Sequence, residues 1–368
     1  MKIFLICESL RLGGVERLTL DQSYQLNTIG IENEVILIGD ALHESVSTFS
    51  KNEPELILEK KVRLNPIHGG RISQLRKLRN LLNHKQEILV VSHSLRGTVL
   101  VRLVRTLTRQ DFKILTTIHQ LSSLSAPVQR LKRYLYSRFT DQLFFFSVAA
   151  EKDWSNNMSK SFLASLLGKR KNSKVLRNGV FLPRLLVTDS VVSVDGNEKP
   201  RLIFIGRLTT WKGLEIFLKL SRIKTLSNYD FLLITPSDPA ELLSKFDDQL
   251  LSRFKFEIGK SLSHIKFKKG DIHIYPANYG SKNVFIEGVS INVLEMACLG
   301  IPSLITKGGS GTWPELLELG IITEVDWNDL PQVTSCIHEL SQSSVSNKTK
   351  QCRELIDIRN NINILINC

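Results

Sequence analysis

Residues 201–224, RLIFIGRLTTWKGLEIFLKLSRIK, read as a strand, a loop and a helix in immediate succession. The apolar run RLIFIG has strand length, and apolar residues recur at helical spacing through KGLEIFLKLSRIK. This is the opening of a strand, loop, helix, strand unit, whose repetition builds a parallel sheet covered on both faces. Downstream the order continues with a strand at FLLIT (231–235), a helix over 241–254 and a strand at FKFEI (254–258). HIYPAN, INVLEMACLG and IPSLIT then set a helix between two strand ends, and the tail after Asp329 predicts helices over 330–340 and 351–360.

Upstream, the same order opens the chain. Residues 2–7 form a short apolar strand, SLRLGGVER a loop, TLDQSYQL a helix and EVILIG a second strand. Strands over 87–91, 113–118 and 142–147 alternate with helices over 72–83, 98–108 and 128–137. A helix at VAAEKDWSNNM and a strand over 174–177 complete this half before a turn at Asn178 and Gly179. The polar segment TDSVVSVDGNEKP (188–200) marks the linker. The sequence therefore predicts an α/β protein of two analogous Rossmann-like domains, 1–187 and 201–368, a reasonable division of 368 residues. The final helix is a candidate to pack back on the first domain.

Composition narrows the function. Forty-nine Lys and Arg against 36 Asp and Glu give a net charge of +13, suited to polyanions, acidic lipid surfaces or phosphorylated substrates. Zinc-finger spacing and RNA-binding aromatic signatures are missing, so no specific nucleic-acid partner is expected. Cys7, Cys298, Cys336, Cys352 and Cys368 are scattered, without a Cys-x-x-Cys pair, which fits a reducing compartment and no metal knuckle. The N-terminal apolar run is too short for a secretory core, and no stretch reaches the roughly 18 apolar residues of a spanning helix. The cytoplasm is the expected location, with peripheral contact at the membrane's cytoplasmic face.

Three stretches carry candidate chemistry. In EGVSINVLEMACLG, Glu287 and Glu295 stand eight positions apart, slightly over two helical turns, which sets them on one side if the intervening residues are helical. Ionised carboxylates are strong acceptors for sugar and ribose hydroxyls. Solvated charges at a helix end would look the same. In GRLTTWKG, Arg207 and Lys212 lie in a strand-to-helix loop suited to neutralising a diphosphate as its bond to a sugar breaks. Gly206 and Gly213 permit tight turns there. In LGGVERL, Gly13 and Gly14 separate the first strand from the first helix, where unpaired N–H groups can meet phosphate or sugar oxygens. This is neither the Gly-x-Gly-x-x-Gly fingerprint nor a Gly-Lys-Ser/Thr loop, which argues against a nicotinamide dehydrogenase or a typical ATPase.

Together, LGGVER, NGV at 178–180, GRLTTWKG, and the spaced glutamates followed by MACLGIPSLIT resemble the retaining glycosyltransferases of family 4, over nearly the whole chain. That resemblance implies two facing Rossmann-like domains, the GT-B fold, with a nucleotide-sugar bound mainly by the second domain and the acceptor by the first. It implies no catalytic metal or other cofactor. Arg207 and Lys212 would contact the donor diphosphate, Glu295 the ribose and Glu287 the sugar near the reacting centre, with Asn292 also in the donor-binding set. Gly13 and Gly14 form the first-domain loop, Gly14 lying against the phosphates or sugar, and His119 of TTIHQ resembles the family's sugar-facing histidine. The donor would be a UDP-sugar or GDP-sugar, the acceptor a glycan or lipid-linked molecule, and the setting cell-surface polysaccharide or lipopolysaccharide biosynthesis.

The sequence departs from the family pattern between Pro276 and Glu287, where the segment is longer than usual, and at Val289 and Ser290, which replace an aromatic residue and proline. Tyr279 or Asn283 could add donor contacts there. GGRISQLRKLRNLLNHK (69–85) can bury leucines while its cations face phosphate headgroups, and a helix packed on its own sheet explains the same pattern. RLKRYLYSRF (130–139) is a second such candidate. The alternative enzyme is a nucleotide-sugar epimerase; outside catalysis, the alternative is a basic membrane- or nucleic-acid-binding protein.

Overall fold

A computed structural model of the chain describes residues 1–8, 14–39, 62–83, 86–119, 127–159, 173–185, 191–192, 199–209, 212–236, 252–260, 262–277, 289–308, 313–343 and 346–367. Two compact units divide the chain at Gly179 and Val180, and Ile358–Cys368 returns to the first unit.

In the first unit, β1 (Lys2–Cys7), β2 (Asn33–Leu37), β3 (Leu64–Pro66), β4 (Ile88–Ser92), β5 (Lys113–Ile118), β6 (Gln142–Phe145) and β7 (Ser173–Val175) form one parallel sheet ordered β3-β2-β1-β4-β5-β6-β7. All six residues of β1 are buried, as expected of a central parallel strand covered on both faces. The helices are α1 (Gly14–Thr28), α2 (Arg71–Leu82), α3 (Leu95–Thr108), α4 (Pro127–Phe139) and α5 (Val148–Ser159).

In the second unit, β8 (Val191–Val192) pairs with β12 (Phe267–Lys268). The main sheet runs β11-β10-β9-β13-β14-β15 and is again parallel. Its strands are β9 (Arg201–Ile205), β10 (Asp230–Thr235), β11 (Phe254–Ile258), β13 (Ile272–Tyr275), β14 (Ser303–Thr306) and β15 (Ile322–Val325). The principal helices are α6 (Leu214–Leu220), α7 (Ile291–Cys298), α8 (Leu330–Gln342) and α9 (Ser346–Ile356), and α10 (Ile358–Ile366) packs on α1 in the first unit. The helix expected over 241–254 falls mainly outside the described residues, and Phe254 is already in β11.

The single helix expected over 351–360 is two. α9 stops at Ile356, Asp357 forms a parallel bridge with Val180, and α10 begins at Ile358. The backbone N–H of Val180 donates to Ile356 O at 2.9 Å. The apolar spacing continues through Ile358, Ile362 and Leu365, which are buried, so the sequence pattern hides a break made by a contact with residues far back in the chain.

Both sheets reverse strand order once, between β1 and β4 and between β9 and β13. At such a point the loops leaving neighbouring strand ends diverge to opposite faces and leave a crevice at the carboxyl edge. Behind β9, Phe217 of α6 packs tilted against Phe204 and edge-on against Phe231, both centroid distances 5.5 Å, and so anchors the helix that follows the β9 loop. Each such pair contributes about 0.5–1.5 kcal/mol beyond area burial.

One face of the first unit has an unusual charge. α2, α3 and α4 pack side by side, and their sequences hold eleven Arg and Lys (four, three and four) without an Asp or Glu, although Arg133 is buried over Trp154 and Arg102 and Arg105 pair with Asp141, just before β6. Leu78 and Leu82 of α2 enter the core, as a helix packed on its own sheet requires, while Ile72 is 79% exposed. Leu107 of α3 and Leu131 of α4 are also exposed, at 64% and 53%. Among the described residues no helix is long and apolar enough to cross a membrane.

Candidate functional site

The carboxyl edge at the β9–β13 reversal gathers most of the described candidate residues of the second unit. β9 gives way to Gly206, whose φ of 148° suits glycine and whose N–H donates to Ile234 O at 3.0 Å. Two backbone bonds then coil the loop: Thr209 N–H to Arg207 O at 2.8 Å and Lys212 N–H to Thr209 O at 3.1 Å. Gly213 closes it with φ 77°. A Cβ at Gly213 would lie 2.2 Å from the carbonyl oxygen of Pro276, so only glycine lets this loop press against the end of β13.

That contact fixes Lys212. Its ammonium donates to Tyr275 Oη at 2.8 Å, across the reversal point, while Arg207 is exposed in the same loop. On β13, His273 is buried and shares a hydrogen bond with Ser303 Oγ at 3.0 Å. Burial, followed by the nearby Lys212 charge, pushes the His273 pKa down to about 3, so the ring stays neutral under the cation.

Helix α7 joins the cluster through Asn292, whose side-chain amide donates to Ile205 O, the last residue of β9, at 3.2 Å. Glu295, one turn on, is fully buried within the same helix. α7 starts at Ile291, so the two-turn spacing from Glu287 does not run along one helix, and Glu287 lies outside the described residues. Tyr279 and Asn283 lie outside them too.

In the first unit, Gly14 is the first residue of α1 and Gly13 lies outside the described residues. His119 follows β5 directly, at the carboxyl edge as expected. Its Nε2 lies 2.8 Å from Nδ1 of His93, and Thr117 Oγ1 lies 2.6 Å from His93 Nδ1 and 3.1 Å from His119 Nε2. The His119 ring also stacks on Phe146 at 4.4 Å. His93 follows β4, beside the β1–β4 reversal, and its backbone N–H donates to Ile6 O at 2.9 Å. Burial pushes the His93 pKa down to about 3, and burial together with His93 holds His119 well below the usual histidine range. Sequence reading finds His119 but misses His93 and Thr117, because a polar triplet drawn from two strand ends leaves no periodic signal. Tyr275 and His273 are missed for the same reason.

Among the described residues no group of three or more His, Cys, Asp or Glu could hold a metal ion. The cationic loop, the tethered Lys212 and Asn292 lie at one sheet edge, where the two cations could meet a phosphorylated ligand.

No protein-family model matches the chain, and no curated protein matches it in sequence. Solved structures do match its fold. Anabaena HepE in complex with UDP-glucose is 15% identical, covers 100% of this chain and 98% of its own, and superposes with a TM-score of 0.70. The lipopolysaccharide outer core galactosyltransferase WaaB is 13% identical over 100% of this chain and 99% of its own, with a TM-score of 0.64. The pneumococcal O-GlcNAc transferase GtfA, in complex with UDP and GlcNAc, is 9% identical over 99% and 97%, with a TM-score of 0.71. At these identities the likeness is one of fold: two Rossmann-like parallel-sheet domains in one polypeptide, consistent with GT-B.

Proposed function

We propose that this chain is a retaining glycosyltransferase of the family 4 type, moving a sugar from a UDP-sugar or GDP-sugar to a glycan or lipid-linked acceptor in cell-surface polysaccharide biosynthesis. The observation that carries the reading is the cationic loop at the β9–β13 reversal, with Lys212 tethered 2.8 Å from Tyr275 and Arg207 exposed beside it. Support comes also from like-folded proteins: HepE holds UDP-glucose, and GtfA holds UDP and GlcNAc.

In this reading Arg207 and Lys212 neutralise the diphosphate, Asn292 and Glu295 bind the donor, and Glu287 faces its sugar. Of the first unit's residues, Gly13 and Gly14 belong to the loop that meets the donor, Gly14 against the phosphates or sugar, and His119 faces the sugar. The bond from the anomeric carbon to the diphosphate breaks as the acceptor hydroxyl oxygen bonds to that carbon on the same face, and the hydroxyl proton leaves with the diphosphate. Cations at the leaving group lower this barrier because its charge develops in the transition state. Glu295 has no solvent exposure, so contact with a ribose requires neighbouring side chains to part.

The cation-rich layer of α2, α3 and α4 supports a peripheral position on an acidic, cytoplasmic membrane surface, near a lipid-linked acceptor. Of the eleven cations in those helices Arg133 is buried and Arg102 and Arg105 pair with Asp141, which leaves an excess of positive charge carried mainly by α2, and the exposed Ile72, Leu107 and Leu131 can enter a headgroup region.

The test is a mass-spectrometric screen of purified protein with a panel of nucleotide-sugars and candidate lipid or glycan acceptors. The reading predicts a glycosylated product with the anomeric configuration retained, together with an equal amount of free nucleoside diphosphate. An altered nucleotide-sugar formed without acceptor would instead indicate an epimerase, and binding to nucleic acid with no response to any nucleotide-sugar would refute both enzymes.

A further inference from the structure

Two imidazoles face each other at the carboxyl edge of the first unit. His119 Nε2 and His93 Nδ1 are 2.8 Å apart, and Thr117 Oγ1 touches both. Burial keeps both rings neutral. Two neutral rings can meet at this distance only when one facing nitrogen carries a proton and the other does not, since two N–H groups clash and two lone pairs repel. The tautomers of His93 and His119 are therefore coupled.

The hydroxyl between them indicates the direction. A separation of 2.6 Å to His93 Nδ1 suits a hydroxyl donating to a bare nitrogen, whereas 3.1 Å to His119 Nε2 suits a ring N–H donating to oxygen. Ser92 O, the other acceptor beside this hydroxyl, is 3.4 Å away and competes weakly with the 2.6 Å contact, so the chain runs from His119 Nε2–H to Thr117, and from the Thr117 O–H to His93 Nδ1. We propose that His93 and Thr117 are positioning residues that hold His119 in its Nε2-protonated tautomer, so that its remaining nitrogen, Nδ1, is a bare acceptor for a hydroxyl of a polyhydroxylated ligand. The ligand part rests on the reading of His119 as sugar-facing; the proton arrangement does not.

His93 adds its own polar group. Its Nε2 has no hydrogen-bond partner although the residue is only 7% exposed, and it carries the proton in this arrangement. A buried N–H without an acceptor is costly, which favours a ligand oxygen beside the β1–β4 reversal.

Nitrogen-15 labelling of the histidines in the full chain, with long-range proton–nitrogen correlation at pH 7, tests the arrangement; the His119 and His93 signals are assigned from the spectra of His119→Gln and His93→Phe. The expected result is a water-protected ring proton on His119 Nε2, with Nδ1 unprotonated. This signal is lost to exchange in Thr117→Val and His93→Phe, and kept in Thr117→Ser. A proton on His119 Nδ1 at pH 7, or protection that survives both disruptive variants, overturns the proposal, and the wild-type spectrum with the His119 signal assigned from His119→Gln decides the tautomer if Thr117→Val and His93→Phe fail to fold. UDP-glucose is the ligand probe: its binding is expected to shift the His119 Nδ1 signal, and saturating binding that leaves it unmoved overturns the ligand role. Failure of every nucleotide-sugar to bind would sink the transferase reading while leaving the tautomer result intact.

Discussion

In the proposed transferase Lys212 is the side chain expected to bear most on the chemistry, because Tyr275 holds its ammonium at the strand reversal. Lys212→Met is expected to lower kcat/KM by about 10²–10³, the usual scale for removing one donor to developing charge, with the melting temperature nearly unchanged. Tyr275→Phe, which removes only the tether, is expected to cost less, and steady-state kinetics of the two variants separate charge from positioning. Gly213 lies one residue on and serves the backbone. Gly213→Ala would drive a Cβ against Pro276 O at a φ of 77°, and a loss of about 1–3 kcal/mol in denaturant unfolding is expected. Arg207 and Lys212 were legible as candidates because they stand in the loop between an apolar strand run and a helix, and His119 because it ends such a run. Their partners were not: Tyr275 lies 63 residues from Lys212 and His93 26 residues from His119, separations that only the folded sheet closes.

Among the elements, β9 shows how stability and function divide between the two ends of one strand. At its amino end Arg201 is buried against Asp271, with guanidinium-to-carboxylate distances of 2.5–3.2 Å, and Asp271 also accepts from Lys268 N–H at 2.9 Å. Asp271→Ala leaves that guanidinium buried without its carboxylate, and an expected cost of about 3–5 kcal/mol is read as a fall in melting temperature. At temperatures where the variant remains folded, its kcat/KM should stay near wild type. The layer of α2, α3 and α4 makes a different prediction. Wild-type protein should float with phosphatidylglycerol-containing vesicles and not with pure phosphatidylcholine ones, and Arg76→Glu with Arg79→Glu should abolish flotation; equal capture by both vesicles would refute the electrostatic account. The helix pattern was readable in α2 and α4, whereas the run of acid-free helices became a surface only once the sheet order set them side by side.

For the whole molecule, the parallel strands were legible because burial on both faces leaves near-continuous apolar runs such as KIFLIC and RLIFI. The break at Asp357 was not, because the helical apolar spacing continues across it while the chain returns to the first unit. Each unit also buries a neutral histidine, His93 in the first and His273 in the second, with pKa values pushed down to about 3. The unfolded chain takes up these protons near pH 6.5 and the folded chain does not, so this stability is fully present above pH 6.5 and is lost as pH falls toward 3. Urea unfolding at pH 7 and pH 5 should show a lower midpoint at pH 5 for both units, and a pH-independent midpoint would contradict neutral burial. The account as a whole turns on whether the β9–β13 edge binds a nucleoside diphosphate. Calorimetric titration of the folded chain with UDP and with GDP tests this directly. One-to-one binding of at least one nucleotide is predicted, weakened about tenfold or more by Lys212→Met, the scale of one lost charge-assisted hydrogen bond. No binding of either nucleotide, or binding unchanged in Lys212→Met, would contradict it.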